Sequence, residues 1–201
     1  IVQEKYSALR WSWWLTDWGV DVRLSAPSQA AEAELAAAAE DVDAELGYLV
    51  YGRDMATLPA VVQGQMLAAG KTLSVAESCT AGLLGGALTA AAGSSGFFRG
   101  GLLTYADDVK QAQLGVPQDI LRDFGAVSEE TVRLMASGCR QRFGTDYALA
   151  VSGISGPGGG TDDKPVGTTW IAVATPQDVF TGCYRFPADR TRNRLLSVAA
   201  A

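Results

Sequence analysis

Three residues that can attack or hydrogen-bond a substrate stand in a row at Ser78, Cys79 and Thr80. They follow the apolar residues 73–76, which predict a buried strand, and they precede a run of small residues that predicts a helix. Free backbone N–H groups and the helix dipole at such a junction favour an anion or a developing oxyanion. A hydroxyl at this place can equally be a simple helix cap, so this stretch alone leaves both roles open.

The choice of base for a serine nucleophile is narrow, because the chain contains no histidine. Ser-His-Asp and Cys-His arrangements and histidine-ligated metal sites are therefore excluded. Lysine can act as the base when burial lowers its pKa, and the candidates are Lys71, Lys110 and Lys164. A solvated surface charge is the ordinary role of a lysine. Lys110 is the strongest candidate because it follows Tyr105 at a second predicted strand-to-helix junction.

A glycine-dense loop, residues 152–160 (SGISGPGGG), follows a third buried run at residues 147–151. Ser78, Tyr105 and this loop all come at the carboxyl ends of predicted strands, where open α/β sheets bind ligands. The loop matches neither the dinucleotide nor the P-loop pattern. Its backbone can form an anion-binding concavity, or it can be a tight connection that needs glycine for conformational reasons alone.

Composition limits the classes of protein that this chain can belong to. With 201 residues, 48% hydrophobic and 19% charged, it can form a substantial core. The net charge is −6, and the chain shows no cluster of basic residues of the kind that nucleic-acid binders carry. No apolar run approaches the ~20 residues that span a membrane. Three widely spaced cysteines favour a reducing compartment, and we expect the cytoplasm. The absence of a cysteine or histidine cluster predicts chemistry without a metal or other cofactor.

The pattern along the chain predicts two domains, residues 1–54 and 55–201. The first is a small α+β unit with strands at 10–15, 20–24 and 48–51 and a helix at 29–46. We expect its tryptophans to pack in the core or at an interface rather than to stack on a ligand. From residue 55 strands alternate with helices, which predicts a three-layer α/β/α fold with a mixed sheet. Because the chain begins with isoleucine, we expect its first domain to be truncated at the N-terminus.

Residues 76–82 (AESCTAG) resemble the AESCTGG signature of the CinA family's C-terminal domain. The resemblance covers residues 55–201 and continues through GSS at 93–95, Thr104 and Tyr105 with Lys110, GAVSE at 125–129, SGISGPGG at 152–159 and KPVG at 164–167. Ala81 stands where the family has glycine, and Ser152 where threonine is common. Residues 1–54 resemble, more weakly, the small linker domain of full-length members, which carry a molybdopterin-binding-like domain further upstream.

The resemblance implies an amidohydrolase that converts nicotinamide mononucleotide to nicotinic acid mononucleotide and ammonia, a step of pyridine nucleotide salvage. Ser78 would attack the carboxamide, and Tyr105 and Lys110 would move the protons. The implied substrate-binding residues are Glu77, Cys79, Thr80, Ser152, Gly153, Gly156, Gly158, Gly159 and Arg192, the last as a partner for the phosphate. We expect a homo-oligomer whose partner is this small nucleotide, with no nucleic acid and no membrane.

Two other functions remain open at this point. The chain could be a nucleotide-binding regulatory module that keeps the pocket without turnover, or an amidase for another small carboxamide without a phosphate. Ammonia release separates the first from an enzyme, and competition by nicotinamide riboside identifies the second. Within the enzyme hypothesis, Cys79 is the alternative nucleophile and Glu77 the alternative base.

Overall fold

A computed structural model describes residues 2–54 and 56–201 of the chain. The chain divides into two compact units, residues 1–61 and 62–201. None of the helices in the described ranges is long and apolar enough to cross a membrane.

The first unit is built on an antiparallel hairpin of β1 (Arg10–Leu15) and β2 (Val20–Ser25). Its helices are α1 (Val2–Lys5), α2 (Gln29–Glu32) and α3 (Leu35–Leu46). The buried residues Tyr6, Leu9, Ala31 and Ala38 form its core, with Trp11 packed against them. Trp13 and Trp14 are more than half exposed, so packing in the core holds for Trp11 but not for these two, and packing at an interface stays a prediction.

Two sequence predictions for the first unit are wrong. The helix expected at residues 29–46 is broken between α2 and α3. The strand expected at residues 48–51 is instead a 3₁₀ turn, Gly47–Leu49. Gly47 ends α3 at a φ of 54°, and the chain beyond it presents Tyr48 and Leu49 to solvent without a neighbouring strand. An apolar run without a partner for its backbone groups does not become a strand.

The second unit contains a five-stranded mixed sheet in the order β4-β3-β5-β6-β7. The strands are β3 (Leu73–Glu77), β4 (Phe98–Leu103), β5 (Tyr147–Gly153), β6 (Thr168–Ala174) and β7 (Val179–Arg185). The helices are α4 (Leu58–Ala68), which begins before the boundary, α5 (Leu83–Leu88), α6 (Asp107–Leu114), α7 (Gln118–Phe124), α8 (Glu129–Phe143) and α9 (Arg190–Ala200). Strand β3 is parallel to both its neighbours, whereas β6 and β7 are antiparallel additions.

Helices cover both faces of this sheet, which confirms the predicted three-layer arrangement. On one face, Ala76 and the alternate alanines of β5 and β6 pack with Met135 and Cys139 of α8. Their short side chains let a long helix lie close to the sheet. The preceding residue of β3, Val75, points to the opposite face, where it lies near Gly85 of α5. Helix α5 also contacts β4 and α9.

Candidate active site

The ends of three neighbouring strands meet at one edge of the sheet. Glu77 is paired with Leu103 of β4 and with Val151 of β5. The N–H of Thr104 donates to Glu77 O over 2.8 Å, and the N–H of Ser78 donates to Val151 O over 3.0 Å. The residues that follow each pair, Ser78, Thr104 and Ser152, therefore lie side by side at the carboxyl edge of the central strands.

The carboxylate of Glu77 occupies the position at the start of α5 where the sequence analysis expected an anion or oxyanion to bind. Its carboxylate is 1% exposed and accepts hydrogen bonds from the backbone N–H groups of Gly82, Leu84 and Gly85, at 2.8–3.1 Å. Helix α5 begins at Leu83, several residues after the predicted start, and these are its first N–H groups. The expectation of unoccupied N–H groups is wrong for Gly82, Leu84 and Gly85, because the chain supplies its own carboxylate there. Glu77 is a cap in this structure.

The turn between Glu77 and α5 buries both candidate nucleophiles, and Cys79 is 6% exposed. Ser78 is 9% exposed, and its hydroxyl makes no hydrogen bond to any residue that the structure describes. The thiol of Cys79 is buried, and burial raises its pKa, although the nearby Ser155 hydroxyl and backbone N–H groups counteract part of this effect. A thiol held protonated is a poor nucleophile, which counts against Cys79.

Lys110 lies in the first turns of α6 with only 1% of its surface exposed. Its ammonium donates to the backbone carbonyl of Tyr105 over 2.9 Å and to the Asp107 carboxylate over 3.4 Å. The ammonium has three N–H donors, so one remains beyond these two contacts. The Tyr105 side chain is 59% exposed, and its hydroxyl accepts a hydrogen bond from Arg190 over 3.3 Å. The structure thus joins Lys110 to Tyr105 through the main chain.

The glycine loop packs directly against the turn that carries Ser78 and Cys79. A Cβ on Gly153 would lie 3.1 Å from Cys79 Sγ and 2.7 Å from Thr169 Oγ1, so only glycine fits there. The Ser152 hydroxyl, expected to contact the substrate, donates to the Ala126 carbonyl over 2.7 Å. Further along, the loop is exposed at Gly158 and Gly159. Close packing supports the view that the loop shapes the site, and Ser152 anchors the loop's start to the segment before α8.

Helix α9 contributes two arginines that the sequence analysis did not assign to the site. Arg190 donates to Gly156 O over 2.7 Å and to the Tyr105 hydroxyl. Arg194 donates to Cys79 O over 2.9 Å and to Thr80 O over 2.8 Å. Arg192, the residue singled out for the phosphate, is half-buried, and its backbone N–H donates to the Asp189 carboxylate. Helical periodicity could have identified the pair, because residues at i and i+4 share a face and the residue between them does not.

Three buried hydroxyls at this edge, those of Thr80, Thr104 and Ser155, have no hydrogen-bond partner of normal geometry within the described residues. One follows each of the strands β3, β4 and β5. An unpaired buried hydroxyl costs about 1–3 kcal/mol, so a water or a bound ligand is expected to complete these bonds. In the same described ranges, no group of three or more cysteine, aspartate or glutamate side chains could hold a metal ion.

Comparison with known proteins gives one consistent result. The CinA C-terminal domain matches residues 55–201. A CinA-like protein from Synechococcus sp. (strain CC9902) is 49% identical over 179 residues, which are 88% of this chain and 42% of that protein. A CinA-like protein from Gemmatimonas aurantiaca is 47% identical over 164 residues, 80% of this chain and 38% of that protein. The chain therefore spans less than half the length of these curated relatives.

Solved structures agree with the sequence match. The competence/damage inducible protein CihA from Agrobacterium tumefaciens is 41% identical, with a TM-score of 0.70 over 71% of this chain and 88% of that one. A competence-damaged protein (CinA) superfamily protein from Escherichia coli is 31% identical, with a TM-score of 0.69 over 77% of this chain and 92% of that one. The signature at residues 76–82, the fold and these matches together show that the chain belongs to the CinA family, through its C-terminal domain.

Proposed function

We propose that the chain hydrolyses the carboxamide of nicotinamide mononucleotide to give nicotinic acid mononucleotide and ammonia. The observation that carries the proposal is the buried hydroxyl of Ser78, which has no hydrogen-bond partner among the described residues, at the edge where β3, β4 and β5 end. A buried lysine, Lys110, stands at the start of the helix that follows β4. Membership of the CinA family and the resemblance of residues 76–82 to its signature support the substrate.

The reaction needs a nucleophile and a group that carries one proton in each direction. Ser78 Oγ forms a bond to the carboxamide carbon while its proton passes to Lys110, directly or through Tyr105, after the Lys110 ammonium has released one proton to solvent. The tetrahedral intermediate then collapses. Its C–N bond breaks, and the same proton goes to the departing nitrogen, which leaves as ammonia. A water molecule hydrolyses the resulting ester and regenerates Ser78. All of these reaction steps use side chains of the second unit.

The nucleotide's phosphate is the part of the substrate that charged residues would recognise. Helix α9 carries Arg190, Arg192 and Arg194 beside the glycine loop, and Arg192 stays our candidate partner for the phosphate. The exposed backbone of Gly158 and Gly159 offers further N–H donors. We further propose that the protein acts in the cytoplasm as a homo-oligomer, with no nucleic-acid or membrane partner.

A ligand-binding module without turnover is the second candidate function. Ala81 favours this candidate. It stands where the family has glycine, three residues after the proposed nucleophile, and its φ of 48° is strained for an L residue. The buried unpaired hydroxyls would serve a bound ligand whether or not it reacts. Ammonia release from nicotinamide mononucleotide by the full chain tests the enzyme. Calorimetric binding of the nucleotide without ammonia would favour the module, and inhibition by nicotinamide riboside at similar concentration would indicate a site that ignores the phosphate.

A further inference from the structure

Arg194 makes its two contacts at the part of the chain that carries the candidate nucleophile. Its Nε donates to Cys79 O over 2.9 Å and an Nη donates to Thr80 O over 2.8 Å, so one guanidinium holds two successive carbonyls. The two positions are 115 and 114 residues away along the chain. The planar guanidinium presents its donors in a rigid fork, so this contact fixes direction as well as distance.

The peptide units that Arg194 holds also determine where the neighbouring N–H groups point. In a trans peptide the N–H points away from the C=O of the same unit, so the N–H groups of Thr80 and Ala81 face away from the guanidinium. Neither N–H donates to a backbone oxygen of any described residue, and the Thr80 N–H lies beside the Cys79 thiol, where it counteracts part of the rise in the pKa of that thiol. The adjoining N–H groups of Gly82, Leu84 and Gly85 are all bound to Glu77, so the pair without an oxygen acceptor stands between Ser78 and the capped helix.

We infer that Arg194 is a positioning residue, which orients the Cys79–Thr80 and Thr80–Ala81 peptides so that their N–H groups can stabilise the oxyanion formed when Ser78 attacks. The inference rests on the proposed amide hydrolysis. Backbone N–H groups next to a nucleophile are the usual donors to such an oxyanion, and they act only when their direction is set in advance. Arg194 itself contacts the back of the turn and does not need to touch the substrate.

A positioning role predicts a specific kinetic pattern. Arg194→Ala should lower kcat for nicotinamide mononucleotide by about 10²-fold, the size of effect seen when a reacting group is misplaced by about 1 Å. KM should change by less than about threefold, because the lost orientation matters for the transition state rather than for ground-state binding. Ethylguanidinium added to Arg194→Ala should restore part of kcat, and Arg194→Lys should stay low, because a lysine cannot hold both carbonyls.

Arg140 provides a matched control at the opposite edge of the sheet. It is also half-buried, and its Nε donates to a backbone carbonyl, that of Asp146, over 2.9 Å just before β5 begins. Arg140→Ala should therefore lose a comparable contact and leave kcat unchanged. Hydrogen exchange gives a readout that does not depend on activity. The amides of Gly82, Leu84 and Gly85 should exchange faster in Arg194→Ala than in the wild type, and as slowly as the wild type in Arg140→Ala.

The combined experiment separates this inference from the proposed function. If the wild type releases no ammonia, the proposed function fails, and the exchange measurement alone decides whether Arg194 holds the turn. If the wild type is active, a normal kcat in Arg194→Ala, a loss confined to KM, or an equal loss in Arg140→Ala overturns the inference. Unchanged exchange at Gly82, Leu84 and Gly85 in Arg194→Ala overturns it in either case.

Discussion

The ammonium of Lys110 donates a hydrogen bond to the backbone carbonyl of Tyr105 over 2.9 Å. This contact spans the junction between β4 and α6, and it holds a nearly completely buried lysine next to the main chain. The contact joins Lys110 to the main chain of Tyr105, whose side-chain hydroxyl accepts a hydrogen bond from Arg190 instead.

Lys110→Met should reduce turnover of nicotinamide mononucleotide by about 10²–10⁴-fold, the usual effect of losing a general base. Binding of the nucleotide, measured by calorimetry, should weaken far less. Lys71→Met is the control, because Lys71 pairs with Asp146, which directly precedes β5 at the other edge of the sheet. A Lys110→Met protein with normal turnover would remove Lys110 from the mechanism.

Glu77→Gln should lower the free energy of unfolding by about 1–3 kcal/mol, because a buried carboxylate that accepts three N–H bonds is replaced by a group with one acceptor fewer. The folded fraction should keep turnover within an order of magnitude of the wild type. Urea titration and ammonia release measure the two effects separately. A variant that is fully stable but inactive would instead identify Glu77 as the base.

Ala81→Gly should raise the free energy of unfolding by about 1 kcal/mol, because an L residue at a positive φ is strained and glycine is not. Ala87→Gly, inside α5, should do the opposite and lower it by about 0.5–1 kcal/mol. The two variants make the same chemical change, so the difference between their urea midpoints reports backbone conformation. Equal destabilisation by both would show that the turn is not strained at Ala81.

Acid should weaken the contact between Asp146 and the start of β3. The ammonium of Lys71, together with the N–H and hydroxyl of Thr72, lowers the pKa of the Asp146 carboxyl from 3.8 to about 2. A depressed pKa in the folded state gives stability that is present above about pH 3.8 and is lost as the pH falls through about 2. Urea midpoints of the wild type should fall more steeply over this range than those of Asp146→Asn. Parallel curves would contradict the assignment.

Much of the second unit could be predicted because its central strands are short, continuously apolar runs that end at polar residues. The runs at 73–76 and 147–151 lie within β3 and β5, and the order of strands and helices indicated which ends would meet. The failures are in the first unit and in the turn after Glu77. There, the outcome depends on whether an apolar run finds a neighbouring strand, and on a carboxylate that reaches residues five to eight positions further along the chain.

The candidate site likewise contains residues whose position could be predicted from the sequence and residues whose contacts could not. The position of Ser78, Tyr105 and Lys110 at strand-to-helix junctions could be predicted, and their catalytic roles stay predictions. The roles of Glu77 and Arg194 could not be predicted, because both depend on partners that only the folded backbone brings near. A pair of arginines four apart on α9 indicated a shared face, but nothing in the sequence shows that this face meets residues 79 and 80 more than a hundred positions earlier.

Ammonia release from nicotinamide mononucleotide, measured for the wild type, Ser78→Ala and Cys79→Ala side by side, tests the central claim most directly. The account predicts that the wild type releases one ammonia for each nicotinic acid mononucleotide formed. It also predicts that Ser78→Ala binds the nucleotide but releases no ammonia, and that Cys79→Ala keeps most of the wild-type rate. Full activity in Ser78→Ala together with none in Cys79→Ala would contradict the assignment of the nucleophile, and a wild type that binds the nucleotide without releasing ammonia would contradict the enzyme itself.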